Sequence, residues 1–140
     1  ELDPAEMEKR NIHLQKKYAE IEENEVRFEE LHCEDAEYLI VAFGSCARIA
    51  QKAMEIAREE GIKVGLLRPI TLWPFPSKAI AARAAQVKGI LTVELNAGQM
   101  VEDVRLAVEC KVPVEHFGRL GGIVPDPDEV ITALKEKLIK

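Results

Sequence analysis

Gly44-Ser45-Cys46-Ala47-Arg48 sits between an apolar run and an amphipathic stretch, where an α/β protein can hold a phosphate. Exposed helix amides with Arg48 beside them could bind a small anion or a nucleotide. The segment matches neither GxGxxG nor GxxxxGK[ST], and a plain tight turn with a helix-capping Ser45 is the simpler reading. As a nucleophile Ser45 lacks the GxSxG frame, since the order is Phe-Gly-Ser-Cys-Ala. Cys46, at a helix start, could have a lowered pKa, but neither a base nor a resolving thiol is evident, so packing is the simpler role. His13, His32 and His116 show no metal-ligand spacing with carboxylates or thiols.

Two further groups carry charge where burial is expected. Glu94 is the acidic residue inside the apolar run Gly89–Leu95, near the end of a strand. A carboxylate there needs a partner, and Arg68, at the end of Ile62–Leu67, is the expected one. Asn96 and Gln99 follow Glu94 and offer amide donors and acceptors. Arg68 opens the stretch Arg68–Pro76, which holds the single tryptophan, Trp73, and Pro69, Pro74 and Pro76. Prolines fix the shape of such a loop before any partner arrives, and Trp73 offers a large amphipathic surface, so the loop reads as a docking ridge. Arg68, Trp73, Glu94, Asn96 and Gln99, then Ser45 and Arg48, are the candidate interface or ligand-facing residues; no catalytic set and no metal site is assigned.

The elements that must position these residues follow from periodicity. Asp3 and Pro4 open a helix to about Asn24, with a narrow stripe at Met7, Leu14, Tyr18 and Ile21 that suits packing against another body. Val26–His32 alternates weakly and reads as an edge strand with charged outer positions. Tyr38–Phe43 is a continuous apolar run, the pattern of a strand buried on both faces, Ile62–Leu67 and Gly89–Leu95 read as the second and third buried strands, and Val112–Phe117 is a fourth parallel strand. Helices are expected at Ala47–Glu60, closed by Gly61, and at Ser77–Gln86, Gln99–Glu109 and Asp128–Ile139. The sum is a three-layer α/β/α sandwich on a mostly parallel sheet. One end of it is lined by the loops Gly44–Arg48, Arg68–Pro76, Leu95–Gln99 and Gly118–Pro125, the usual place for contacts.

At 140 residues the chain fits one domain, and its net charge of −6 gives no basic footprint for nucleic acid. No apolar run is long enough to span a membrane, and the acidic N-terminus is not a signal peptide. Cys33, Cys46 and Cys110 are widely spaced, as reduced thiols of a cytoplasmic protein are. The chain opens Glu-Leu-Asp-Pro without an initiator Met, so a domain of something larger is the first hypothesis.

Four segments together, VAFGSCARIAQKAM, GIKVGLLRPITLWPFP, ILTVELNAGQMVEDVRLAV and FGRLGG with a following Pro, resemble the alpha subunit of 2-oxoacid:ferredoxin oxidoreductases of the 2-oxoisovalerate (3-methyl-2-oxobutanoate) type. The resemblance runs from Asp35 to about Lys137. More distantly it extends to the C-terminal domain of transketolase and of 2-oxoacid dehydrogenase beta chains, whose third loop reads VEE…GG where this chain has VELNAGQM. The resemblance implies a five-stranded mixed sheet with one antiparallel edge strand. It divides the chain into a linker helix and edge strand, 1–34, and a transketolase-C-terminal-like domain, 35–140. It also implies a parent complex that converts a 2-oxoacid to an acyl-CoA with thiamine diphosphate, Mg²⁺, iron–sulfur clusters and coenzyme A. Electrons pass to ferredoxin, and the partners are other domains of the alpha subunit and beta, gamma and delta subunits. Neither a ferredoxin-type cysteine run nor a GDG…N diphosphate pattern stands in this chain. The role implied for it is therefore assembly and enclosure, with a free-standing small-anion or nucleotide-binding module as the alternative.

Overall fold

The computed structural model describes residues 3–139; residues 1, 2 and 140, the outer ends of the expected two-part division, lie outside it. Five strands form one sheet in the order β1-β3-β2-β4-β5: β1 is Phe28–Leu31, β2 Tyr38–Ala42, β3 Val64–Pro69, β4 Ile90–Glu94 and β5 Val114–Gly118. β1 runs antiparallel to β3, and the other four strands are mutually parallel. The mixed sheet with an antiparallel edge strand is thus present, and β1, placed ahead of the division at 34, is hydrogen-bonded into it.

The apolar runs alternate between two cores because successive strand residues face opposite sides. Ile40 and Ala42 look to one side, where α2 (Gly44–Glu59) and α5 (Pro127–Leu134) pack. Leu39 and Val41 look to the other, against α3 (Ser77–Ala84) and α4 (Met100–Val108). The helices are shorter than the apolar stripes suggest at several ends. α5 stops at Leu134 and continues as a π-helical turn, Lys135–Ile139. Its start is fixed by a capping box, in which Glu129 N–H donates to Asp126 Oδ1 (2.8 Å) and Asp126 N–H to Glu129 Oε2 (3.0 Å).

α1 (Pro4–Asn24) is capped by Asp3 as expected but buries no residue. Its stripe stays exposed at Met7 and Leu14. Tyr18 meets the Trp73 ring edge-on, with centroids 5.7 Å apart at 87°.

Cys33 and Cys46 are buried in opposite cores, and Cys110 is exposed. Burial, then the charge of Glu30, pushes the Cys33 thiol from its ordinary value near 9 up to about 11. The folded chain therefore holds this proton more tightly than the unfolded one, so stability falls once pH rises past 9 and the loss is complete above about 11. Urea titrations across that window should lose about 2 kcal/mol that Cys33→Ala no longer loses. A thiol reagent should label Cys110 alone in the native chain and all three cysteines after unfolding.

Candidate functional site

Parallel strands put their carboxyl ends on one side, so the four loops meet at one end of the sheet. The strand order reverses between β2 and β4, the position where open α/β sheets leave a crevice. Glu94, the last residue of β4, fills that position itself. It is 1% exposed, and its carboxylate accepts from the backbone N–H of Met100 (2.8 Å), Val101 (3.1 Å) and Gln99 (3.2 Å) and from Asn96 Nδ2 (3.2 Å). The N-terminal amides of α4, which attract anions, are thus occupied by an internal carboxylate. No conventional cap precedes Met100; the N-cap residue is Gln99, whose side chain makes no capping bond.

His116, on β5, closes the cluster. Its Nδ1 lies 3.4 Å from Glu94 Oε2 and 3.2 Å from Thr92 Oγ1, and its Nε2 lies 3.2 Å from the Asn96 carbonyl oxygen. Gly98 N–H donates to Asn96 Oδ1 at 2.7 Å. The loop Leu95–Gln99 is therefore held from below by β4, from within by Asn96 and from the side by β5. Sequence reasoning placed His116 in a strand and gave it no role. Its contact depends on β5 lying beside β4, which the sequence does not state.

The expected Arg68–Glu94 pair does not exist. β2 lies between β3 and β4, which separates the two strands by about 10 Å. Arg68 instead donates to Glu29 Oε2 (2.9 Å) on β1, its antiparallel neighbour. The Arg68–Pro76 and Glu94–Gln99 loops accordingly leave strands that β2 separates. Glu94 is also not a surface residue, so it supports the loop from inside and presents nothing to a partner. Asn96 is half-buried within the same network, while Gln99 is exposed.

The proline loop is built with its prolines inward. Pro74 and Pro76 are buried, Phe75 packs on the core, and Trp73 is 56% exposed, with a cis bond between Trp73 and Pro74. Thr71 ties the loop down: its Oγ1 donates to Pro74 O (2.8 Å) and accepts from Arg27 N–H (3.0 Å). Ile70 and Thr71 N–H both donate to Arg27 O.

At β2 the helix starts three residues earlier than expected. Gly44 at φ +56° reverses the chain, Ala47 N–H donates to Phe43 O, and α2 has no side-chain cap. Ser45 is therefore not a cap; it lies in the first turn and is exposed, as is Arg48. The Cys46 thiol is pushed up, not down: it is buried, and the Glu94 charge adds to the effect.

Exposed apolar side chains concentrate at this end. Ile70, Leu72, Trp73, Leu95, Leu120, Ile123 and Val124 all lie in its loops, and among the described residues only Phe28, Leu106 and four side chains of α1 are comparable. Isolated apolar residues on a surface need no explanation; these seven instead share one end of the sheet. The opposite end is ion-paired instead, through Arg58 with Asp35 (2.6 Å), Lys88 with Glu37, and Lys135 with Glu60 (2.5 Å). Among the described residues no three His, Cys, Asp or Glu side chains gather to hold a metal. With Cys33 and Cys46 on opposite faces of the sheet, the thiols do not fit an iron–sulfur cluster. No helix among the described residues is long and apolar enough to cross a membrane.

Known proteins share this arrangement. The chain is 47% identical over 135 residues to the ketoisovalerate oxidoreductase subunit VorB of Methanothermobacter marburgensis, covering 96% of this chain and 38% of that relative. It superimposes with a TM-score of 0.82, at 26% identity, on the structure of 2-oxoglutarate:ferredoxin oxidoreductase from Magnetococcus marinus with 2-oxoglutarate, coenzyme A and succinyl-CoA bound; the match covers 97% of this chain and 24% of that one. A split-gene transketolase, solved as an inactive beta4 tetramer, shares the fold alone, with a TM-score of 0.68 at 20% identity over 81% of this chain and 41% of that one. The chain thus spans well under half the length of the relatives it matches. Residues 36–130 match the family described as pyruvate:ferredoxin oxidoreductase core domain II. They enclose β2 through the first residues of α5, and with them every strand-end loop, so the chain belongs to that core domain II family.

Proposed function

We propose that this chain is the transketolase-C-terminal-like domain of the alpha subunit of a 2-oxoisovalerate:ferredoxin oxidoreductase. The parent complex decarboxylates the 2-oxoacid oxidatively to an acyl-CoA, using thiamine diphosphate and Mg²⁺, and sends electrons through iron–sulfur clusters to ferredoxin. This domain does none of that chemistry. It docks, through the loops at the carboxyl ends of its strands, on other domains of its subunit or on the beta, gamma or delta subunits. The choice of a branched 2-oxoacid is supported by the 47% identity to the ketoisovalerate subunit, against 32% to a 2-oxoglutarate synthase subunit of the same organism.

The observation that carries the docking role is Trp73, exposed on a loop whose prolines and Thr71 bonds fix it in advance. A preformed aromatic anchor loses little entropy on contact and typically dominates the energy of an interface. In the complete complex, Trp73→Ala should weaken association of this domain by about 2 kcal/mol, roughly 30-fold. Arg68→Ala should cost less, about 0.5 kcal/mol, because Arg68 is a rim residue already paired with Glu29. Sedimentation of the assembled subunits and turnover with 2-oxoisovalerate are the measurements. Unchanged assembly and turnover in both variants would remove the docking role.

A further inference from the structure

The strand-end loops carry a charge pattern opposite to the rest of the molecule. The chain has a net charge of −6, yet the segments 44–48, 68–76, 95–99 and 118–125 contain Arg48, Arg68 and Arg119 and neither Asp nor Glu. Arg68 and Arg119 are answered from outside the loops, by Glu29 (2.9 Å) and Glu129 (2.6 Å). Arg48 is exposed and makes no ion pair among the described residues. It stands on the first turns of α2, at the same end as Trp73 and Leu95.

We infer that this end is shaped for a protein face of another domain or subunit, with an apolar centre to cover Trp73 and a carboxylate to meet Arg48, and not for a second copy of this chain. The inference rests on the docking role proposed above and names its partner's chemistry. A guanidinium at the edge of an apolar contact is a planar, always-charged fork that fits a carboxylate with two bonds. Two copies facing each other through this end would bring together two unpaired Arg48 guanidinium groups, with no acidic residue in either set of loops to answer them, since Arg68 and Arg119 already hold Glu29 and Glu129. Like charges set opposite one another in a closing interface are strongly disfavoured. A small anion is a weaker match. The crevice amides of α4 already hold Glu94, and seven exposed apolar side chains gain nothing from a phosphate.

The test uses the complete oxidoreductase complex that carries this chain. Hydroxyl-radical footprinting compares Trp73 in the complex with Trp73 in the 140-residue chain alone. In parallel, Arg48→Lys keeps the charge and provides an amine for zero-length carbodiimide coupling, read by mass spectrometry. The expected result is a protected Trp73 and a cross-link from position 48 to an Asp or Glu of another domain or subunit. Arg48→Glu should then weaken assembly about tenfold at low salt, with the difference shrinking as salt rises. An unprotected Trp73 overturns the docking role itself, and this inference with it. With Trp73 protected, three results overturn the inference alone. They are a cross-link to another copy of this chain, a lack of any cross-link, and a position 48 that inorganic pyrophosphate shields.

Discussion

Glu94→Ala should destabilise the chain by about 3 kcal/mol, as much as truncating a large buried apolar side chain of the core. The carboxylate is buried and is the shared acceptor for the backbone amides of Gln99, Met100 and Val101 at the start of α4 and for Asn96 Nδ2. Truncation leaves those donors in a dry site with no acceptor, and each orphaned group costs its own desolvation. Water can enter the space only in part. Glu94→Gln keeps one oxygen acceptor and the volume but turns the other oxygen into a donor, aimed at amides that also donate. It should fall between wild type and alanine. Urea unfolding followed by circular dichroism measures both, and a loss below about 1 kcal/mol for alanine would show that the amides find other partners. At this chain length 3 kcal/mol corresponds to a drop in Tm of roughly 10 °C.

Gly118→Ala should be nearly as costly, for a steric reason. Gly118 ends β5, and a Cβ there would lie 2.2 Å from the Asn96 carbonyl oxygen and 2.6 Å from His116 Nε2. Backbone and a hydrogen-bonded ring cannot both step aside without moving the Leu95–Gln99 loop, and overpacking of this kind costs about 3 kcal/mol. Gly89→Ala is the control. Its Cβ would approach Leu138 Cδ2 at 2.8 Å, but that methyl ends a flexible side chain near the C-terminus. It should cost under about 1 kcal/mol. The pair separates a blocked backbone from a merely crowded one. If Gly118→Ala costs no more than Gly89→Ala, the loop is softer than its hydrogen bonds indicate. Chemical-shift changes in Gly118→Ala should centre on Asn96 to Met100, the loop it pushes.

The central strands were legible because Tyr38–Phe43 is an unbroken apolar run and Ile62–Leu67 and Gly89–Leu95 are mostly apolar, and such runs have few alternatives to a doubly covered sheet. The antiparallel edge strand was legible only through the family resemblance, since weak alternation at Val26–His32 gives no direction. Strand order was not legible, and the wrong partner for Glu94 follows from that alone: Arg68 is near in an imagined order β3-β4 and two strands away in the real one. One clue stood in the sequence. α4 begins without Ser, Thr, Asp or Asn at its cap, while a glutamate stands six residues before Met100 at the end of a strand. A helix lacking its own cap next to a buried carboxylate is a pair of mutual needs. Cys46 misled in the other direction, because a helix start argues for a lowered pKa, while burial outweighs the helix at this site. Trp73 was read correctly as outward-facing from its prolines, although its contact with Tyr18 could not be seen in the pattern.

The direction of β1 has a topological result. Because β1 is antiparallel, its first residue, Phe28, pairs with Pro69, the last residue of β3. The polypeptide therefore enters the sheet beside the proline loop, and α1 comes in through the same corner, touching Trp73 with Tyr18. A parallel β1 would have brought it in at the ion-paired end, a strand length of about 17 Å away. Any body joined through α1 would be tethered next to the strand-end loops. Contact with those loops would then be governed by effective concentration within one chain, and contacts too weak to hold two free proteins together would be enough to close it.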